Sequence, residues 1–238
     1  MSTTQKDSQF LPAELKERLS EYLRVGAVDA ARGFLKDALA KTASDDTELR
    51  LRIKSNLGIV ERKAGRFYDA IQALTEAEFL IPSTSNQLLI GNHRHTFGVL
   101  WQTIAEHEGI EEYNGRAVRL YEEAGECYEQ AGATRELAST KNCIAYLSIQ
   151  IGNIEDALRY ATLAIEAAKP LGDEPLIAQF EHTRAQALLR DGKLGEALVI
   201  ASRAAETLRA HRYSGVLPEV LATIGKITAA MREEVGVL

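Results

Sequence analysis

A glycine followed five residues later by an alanine recurs along this chain, and nothing else in the sequence limits the possible folds so much. The pairs are Gly26 with Ala31, Gly65 with Ala70, Gly152 with Ala157 and Gly192 with Ala197. The stretches read Gly-Ala-Val-Asp-Ala-Ala, Gly-Arg-Phe-Tyr-Asp-Ala, Gly-Asn-Ile-Glu-Asp-Ala and Gly-Lys-Leu-Gly-Glu-Ala. Four residues after the alanine comes Leu35, Leu74, Ala161 or Ala201, and three further on Ala38, Ala77, Ala164 or Ala204. With a short insertion, Gly109 heads a fifth copy containing Ala117, Tyr121 and Ala124. The glycines then lie about 40 residues apart, within the range of stacked helical repeats.

Each position has a physical reason. The glycine ends one helix, where a left-handed backbone costs little without a Cβ. The alanines at i, i+4 and i+7 share one face of the next helix, and their small side chains let it approach the first closely. The first helix answers with its own small residue seven before the glycine, at Gly58, Ala145 and Ala185. Leu57, Ile144 and Trp101 occupy the neighbouring apolar position, which predicts a packing role for the tryptophan. Helix pairs are therefore expected at 11–25 with 28–41, 46–64 with 67–80, 86–107 with 111–131, 134–151 with 154–169, and 174–191 with 194–211. A final helix at 216–235 would cover the open end of the stack. Asp45, Ser85, Thr134 and Asp173 stand at or beside expected N-caps. Residues 1–9 are expected to be a disordered tail, and 10–238 one repeat domain, because no long linker divides them.

These residues resemble the tetratricopeptide repeat family. The matching positions are the small residue of the first helix, the inter-helix glycine and the two alanines of the second helix. Pro82, seventeen after Gly65, falls where that family often ends its unit. The likeness covers residues 11 to 211, in a long-repeat form, since the period exceeds the family's usual one of about 34. It departs at the aromatic positions of the first helix, where Lys54, Lys141 and Glu181 stand. The resemblance implies an all-α fold, a right-handed α-α superhelix of five helix pairs with a capping helix. It also implies a non-enzymatic adaptor or scaffold that holds a protein or peptide partner in a concave groove. The alternative is a regulatory sensor, in which a bound peptide or small ligand changes the stack and so controls a partner.

Composition and motif searches agree with a binding role. The formal charge of -6 disfavours a phosphate-backbone binder, so nucleic acid is not the expected partner. No apolar run approaches the roughly 20 residues of a membrane span, and Met1-Ser-Thr-Thr-Gln-Lys-Asp-Ser-Gln lacks a secretory core, so a cytoplasmic protein is expected. Cys127 and Cys143 are too few for a disulfide framework. Gly225-Lys226 lacks the earlier glycine and the hydroxyl residue of a phosphate loop. His93 and His95, two apart, point about 200° from one another on a helix, and His107-Glu108 lacks a second histidine. No catalytic residue, metal or cofactor is expected.

Counting back from each glycine gives the residues that should line the inner wall. They are Arg52, Ser55 and Ile59 in the second repeat, Thr96, Val99 and Thr103 in the third, Ser139, Asn142 and Tyr146 in the fourth, and Gln179, His182 and Gln186 in the fifth. Asn56 joins them at a place where some tetratricopeptide proteins clamp a carboxylate. Their amides and hydroxyls suit the backbone of a bound segment, and Arg52 suits a carboxylate. Basic residues gather on the second repeat (Arg50, Arg52, Lys54, Arg62, Lys63, Arg66). Acidic ones crowd the third, among them Glu106, Glu108, Glu111, Glu112, Glu122, Glu123, Glu126 and Glu129.

Overall fold

Alanines on one face and a glycine at the turn produce the hairpins the sequence announces. The structure, a computed structural model, describes residues 11–236. The expected disordered tail lies outside those residues. Among them are eleven α-helices and no strand: α1 Ala13–Arg24, α2 Val28–Lys41, α3 Thr47–Lys63, α4 Phe67–Glu78, α5 Gln87–Glu108, α6 Glu112–Gln130, α7 Thr134–Ile151, α8 Ile154–Ala168, α9 Glu174–Arg190, α10 Leu194–Ala210 and α11 Leu217–Gly236. They pack in consecutive pairs. The chain forms two compact units, residues 1–132 and 133–238.

In the first unit, α1 to α6 make three hairpins, closed by Gly26, Gly65 and Gly109 at φ +72°, +72° and +68°. Ala31, Ala70, Ala77, Ala117 and Ala124 are wholly buried, as are Leu35, Leu74 and Tyr121. The close approach is tightest at Gly58, where a Cβ would come within 2.5 Å of the Leu74 side chain. Gly98 faces Tyr121 in the same way, at 2.8 Å. Trp101 is half-buried and packs on the cluster of Ala70, Leu74, Leu100 and Ile104, which is the packing role expected of it.

In the second unit, Gly152 and Gly192 close α7–α8 and α9–α10 at φ +84° and +74°. Ala157, Ala161, Ala164, Ala197, Ala201 and Ala204 are all buried at the seams. Helix α11 lies on α10 and touches α9, and it buries Val220 and Ile227 against the last hairpin. That is the expected capping helix. Its apolar residues cover what would otherwise be the bare face of α9 and α10.

Candidate partner-binding surface

The site begins with how successive first helices of each pair meet. In the first unit, Ser55 of α3 bonds His93 of α5, Oγ to Nδ1 at 2.9 Å. On its other side, His93 Nε2 lies 2.9 Å from Glu78 Oε2 of α4. Glu78 continues to Arg94 at 2.9 Å, and Arg94 to Glu123 of α6 at 2.7 Å. Burial works against the Glu78 charge, but the hydrogen bond from His93 and the Arg94 guanidinium hold its pKa below the ordinary value. An ionised carboxylate only accepts, so His93 Nε2 donates to Glu78. The order serine, histidine, carboxylate is that of a hydrolase triad. Here, however, His93 is 0% and Ser55 5% exposed, which leaves no approach for a substrate carbonyl. The trio acts as a bolt through three helices.

The second unit repeats the device. His182 of α9 bonds Thr223 of α11, Nε2 to Oγ1 at 2.8 Å. Ser55, Asn142 and His182 all stand ten residues before their glycines. In two of these three repeats that position bonds the next first helix. Burial lowers the His182 pKa to about 4, so the ring is neutral at physiological pH.

The remaining expected residues divide by exposure. Arg52, Thr103, Ser139, Asn142, Tyr146, Gln179 and Gln186 are half-buried, and Asn56 and Thr96 are buried. Several spend their polar atoms on their own helix. Asn56 Nδ2 donates to Arg52 O at 2.8 Å, Thr96 Oγ1 to Asn92 O at 2.8 Å, and Gln179 Nε2 to Pro175 O at 3.2 Å. Thr103 Oγ1 donates to Val99 O at 2.8 Å and accepts from Arg62 at 3.3 Å.

Four asparagines have a polar atom left over. Asn56 Oδ1, Asn142 Oδ1 and Asn92 Nδ2 on first helices have no hydrogen-bond partner, and neither has Asn114 Oδ1 on α6. Asn92 was not picked out from the sequence, although it stands four before Thr96 on the same stripe. Its Oδ1 accepts from the Tyr128 hydroxyl at 2.9 Å. Asn56 is 1% exposed and Asn92 2%, so each buries an unsatisfied group that costs about 1–3 kcal/mol.

Arg52 lies 3.7 Å from Glu48, whose pKa is lowered by hydrogen bonds from Thr84 and Asn86. A cavity of about 390 Å³ opens beside this pair, lined also by Leu11, Pro12, Asp46 and Leu49. The basic cluster is largely neutralised. Lys54 pairs with Glu76, and Arg66 pairs with Glu61 and Asp29. The eight glutamates of the third repeat are all exposed. His95 lies against the Tyr121 and Tyr128 rings, and His107 against Phe67 and Glu108, so these two histidines serve different contacts.

Helical hairpins closed by glycine, seamed by alanine and joined through their first helices define a tetratricopeptide-like fold. The comparisons with solved structures agree. The chain is similar to a signal transduction ATPase with numerous domains, which carries a tetratricopeptide repeat sensor, from Pyrococcus horikoshii. That likeness has a TM-score of 0.75 at 14% identity, over 93% of this chain and 34% of that one. This chain thus spans about a third of that protein's length. BtubC (BKLC) from P. vanneervenii is similar with a TM-score of 0.65 at 18% identity, over 97% of this chain and 85% of that one. A Rap protein complexed with competence and sporulation factor is similar with a TM-score of 0.65 at 16% identity, over 92% and 61% of the two chains. No protein-family model and no curated protein matches the chain.

Proposed function

We propose that this protein binds a segment of another protein along the first helices of its pairs and acts as a non-enzymatic adaptor or scaffold. The observation that carries the reading is the half-buried polar stripe of the first helices, Arg52 and Thr103 in the first unit and Ser139, Asn142, Tyr146, Gln179 and Gln186 in the second. A peptide bond offers one donor and one acceptor, and the hydroxyls and amides of such a stripe suit both. The similar Rap protein, complexed with competence and sporulation factor, supports a binding role for such a fold. The burial of His93 and Ser55 supports the non-enzymatic part.

The test is affinity purification of the full chain from its native cells, with identification of what binds. A stoichiometric protein partner is expected, recovered by the wild type and lost with Arg52→Ala combined with Asn142→Ala at unchanged thermal stability. Retention of the partner by that double variant refutes the proposed surface. Stabilisation by a small-molecule fraction, with no protein recovered, would replace the adaptor with a sensor.

A further inference from the structure

The inter-helix glycines also index a charge pairing that crosses two of the five hairpins. Eleven residues before Gly65 stands Lys54 and eleven after it Glu76, and these two form an ion pair between α3 and α4. The corresponding positions around Gly192 are Glu181 and Arg203, paired at 2.5 Å between α9 and α10. The charges are exchanged but the geometry is the same. In both pairs the first-helix side chain is 13% exposed and its partner is much more open. In these two hairpins the same register brings the two positions together.

Around Gly152 the same positions hold Lys141 and Leu163. Lys141 is half-buried on α7, with no hydrogen bond or ion pair among the described residues. Leu163 is 38% exposed on α8, an apolar side chain where the α3–α4 and α9–α10 hairpins present a paired charge. This hairpin lacks its carboxylate. An ammonium that is partly withdrawn from water and has no counter-charge favours an incoming anion, and the leucine adds an apolar contact beside it.

We propose that the α7–α8 seam is a second docking surface, at which an aspartate or glutamate of a partner protein takes the place of the missing carboxylate over Lys141 while a neighbouring apolar side chain covers Leu163. Charge complementarity selects this occupant. Glu76 shows where the carboxylate sits relative to the lysine, and no internal acid supplies it here. The surface is separate from the amide stripe of the first helices, so it stands or falls independently of the groove reading.

Leu163→Glu provides the discriminating variant, because it should restore the internal pair without removing the lysine. The experiment pans a display library of random 16-residue peptides against the full chain and measures each enriched peptide by calorimetry. Peptides with an acidic residue beside Leu, Ile, Met or Phe are expected. They should lose about tenfold in affinity with Lys141→Ala, with Leu163→Glu, or when their own acid becomes the amide. Leu163→Glu should at the same time raise the melting temperature, which separates occupation of the site from damage to it. Peptides that bind Leu163→Glu as well as wild type overturn the proposal. So do peptides whose affinity depends on Asn142 but not on Lys141, and so does a library that yields no acidic enrichment.

Discussion

At the scale of single residues, three glycine substitutions separate space from propensity. Replacing a helical glycine by alanine gains about 1 kcal/mol of helix propensity. At Gly33 and Gly225 a Cβ meets nothing within 4 Å, so Gly33→Ala and Gly225→Ala should each raise the melting temperature by a few degrees. At Gly58 the new Cβ would lie 2.5 Å from buried Leu74, and forcing that contact costs about 1–3 kcal/mol. Gly58→Ala should therefore lower stability despite its better propensity. Urea melts of the three variants decide the matter.

His182 carries a pH prediction at the same scale. The buried ring has a pKa of about 4, against the ordinary value of 6.5. Below pH 6.5 the unfolded chain takes up a proton that the folded chain refuses, so stability falls as pH falls from 6.5 towards 4 and is undiminished above that window. The gap amounts to about 3 kcal/mol at most. His182→Gln can keep a bond to Thr223 without titrating, and should flatten the acid side of the curve. Carboxylates such as Glu48 and Glu78 titrate in both proteins, so the difference between the two pH profiles isolates the histidine.

At the scale of elements, the first two hairpins are tied by charge as well as by alanine. Glu61 of α3 is 3% exposed and meets Arg32 of α2 at 2.6 Å and Arg66, at the start of α4, at 2.5 Å. Arg32 Nε lies near Glu61 but is poorly aligned, which makes that contact more Coulombic than hydrogen-bonded. Asp69 and Asp29 hold the outer ends of the two guanidiniums. Removing one partner of a sealed pair costs about 3–5 kcal/mol, but both arginines are about 30% exposed here, so Glu61→Gln should cost about 2 kcal/mol. Asp29→Ala, at an open carboxylate, should cost no more than about 0.5 kcal/mol. Denaturant midpoints of the two variants measure the contrast.

The same elements show what the sequence could and could not convey. Every helix begins and ends within two residues of its expected limits, because a glycine at positive φ closes each hairpin and buried alanines mark each seam. The N-caps at Asp46 and Asn86 stand one residue after the expected ones, and Thr134 opens α7 behind Ala133, which makes no side-chain cap. The polar stripe was harder to divide. Consecutive residues turn by about 100°, so one position decides between the open face and the neighbouring helix. Ser55 and His182 face that neighbour, while Gln179 spends its amide on its own helix and Arg52 lies beside Glu48 of its own. The partners His93 and Thr223 lie 38 and 41 residues away, close to the glycine period, but the period does not say which side chain of the next helix is met.

At the scale of the whole molecule, a linear array makes its own thermodynamic prediction. Each helix pair touches its sequence neighbours, with contacts from α1 through to α6 in the first unit and from α7 through to α11 in the second. Stability in such an array is close to a sum of pair and interface terms, so a local defect has a local effect. Gly58→Val places two methyl groups against the Leu74 side chain that already excludes a Cβ. It should open the first unit by about 2 kcal/mol or more, which corresponds to a roughly 30-fold loss of amide protection across α1 to α6. Thr223→Val removes the partner of buried His182 and should produce a comparable loss across α9 to α11 instead. Hydrogen exchange read by mass spectrometry resolves both patterns. A chain that unfolds in one cooperative step would show every core amide shifted equally by either substitution, and that result would contradict additivity by repeat.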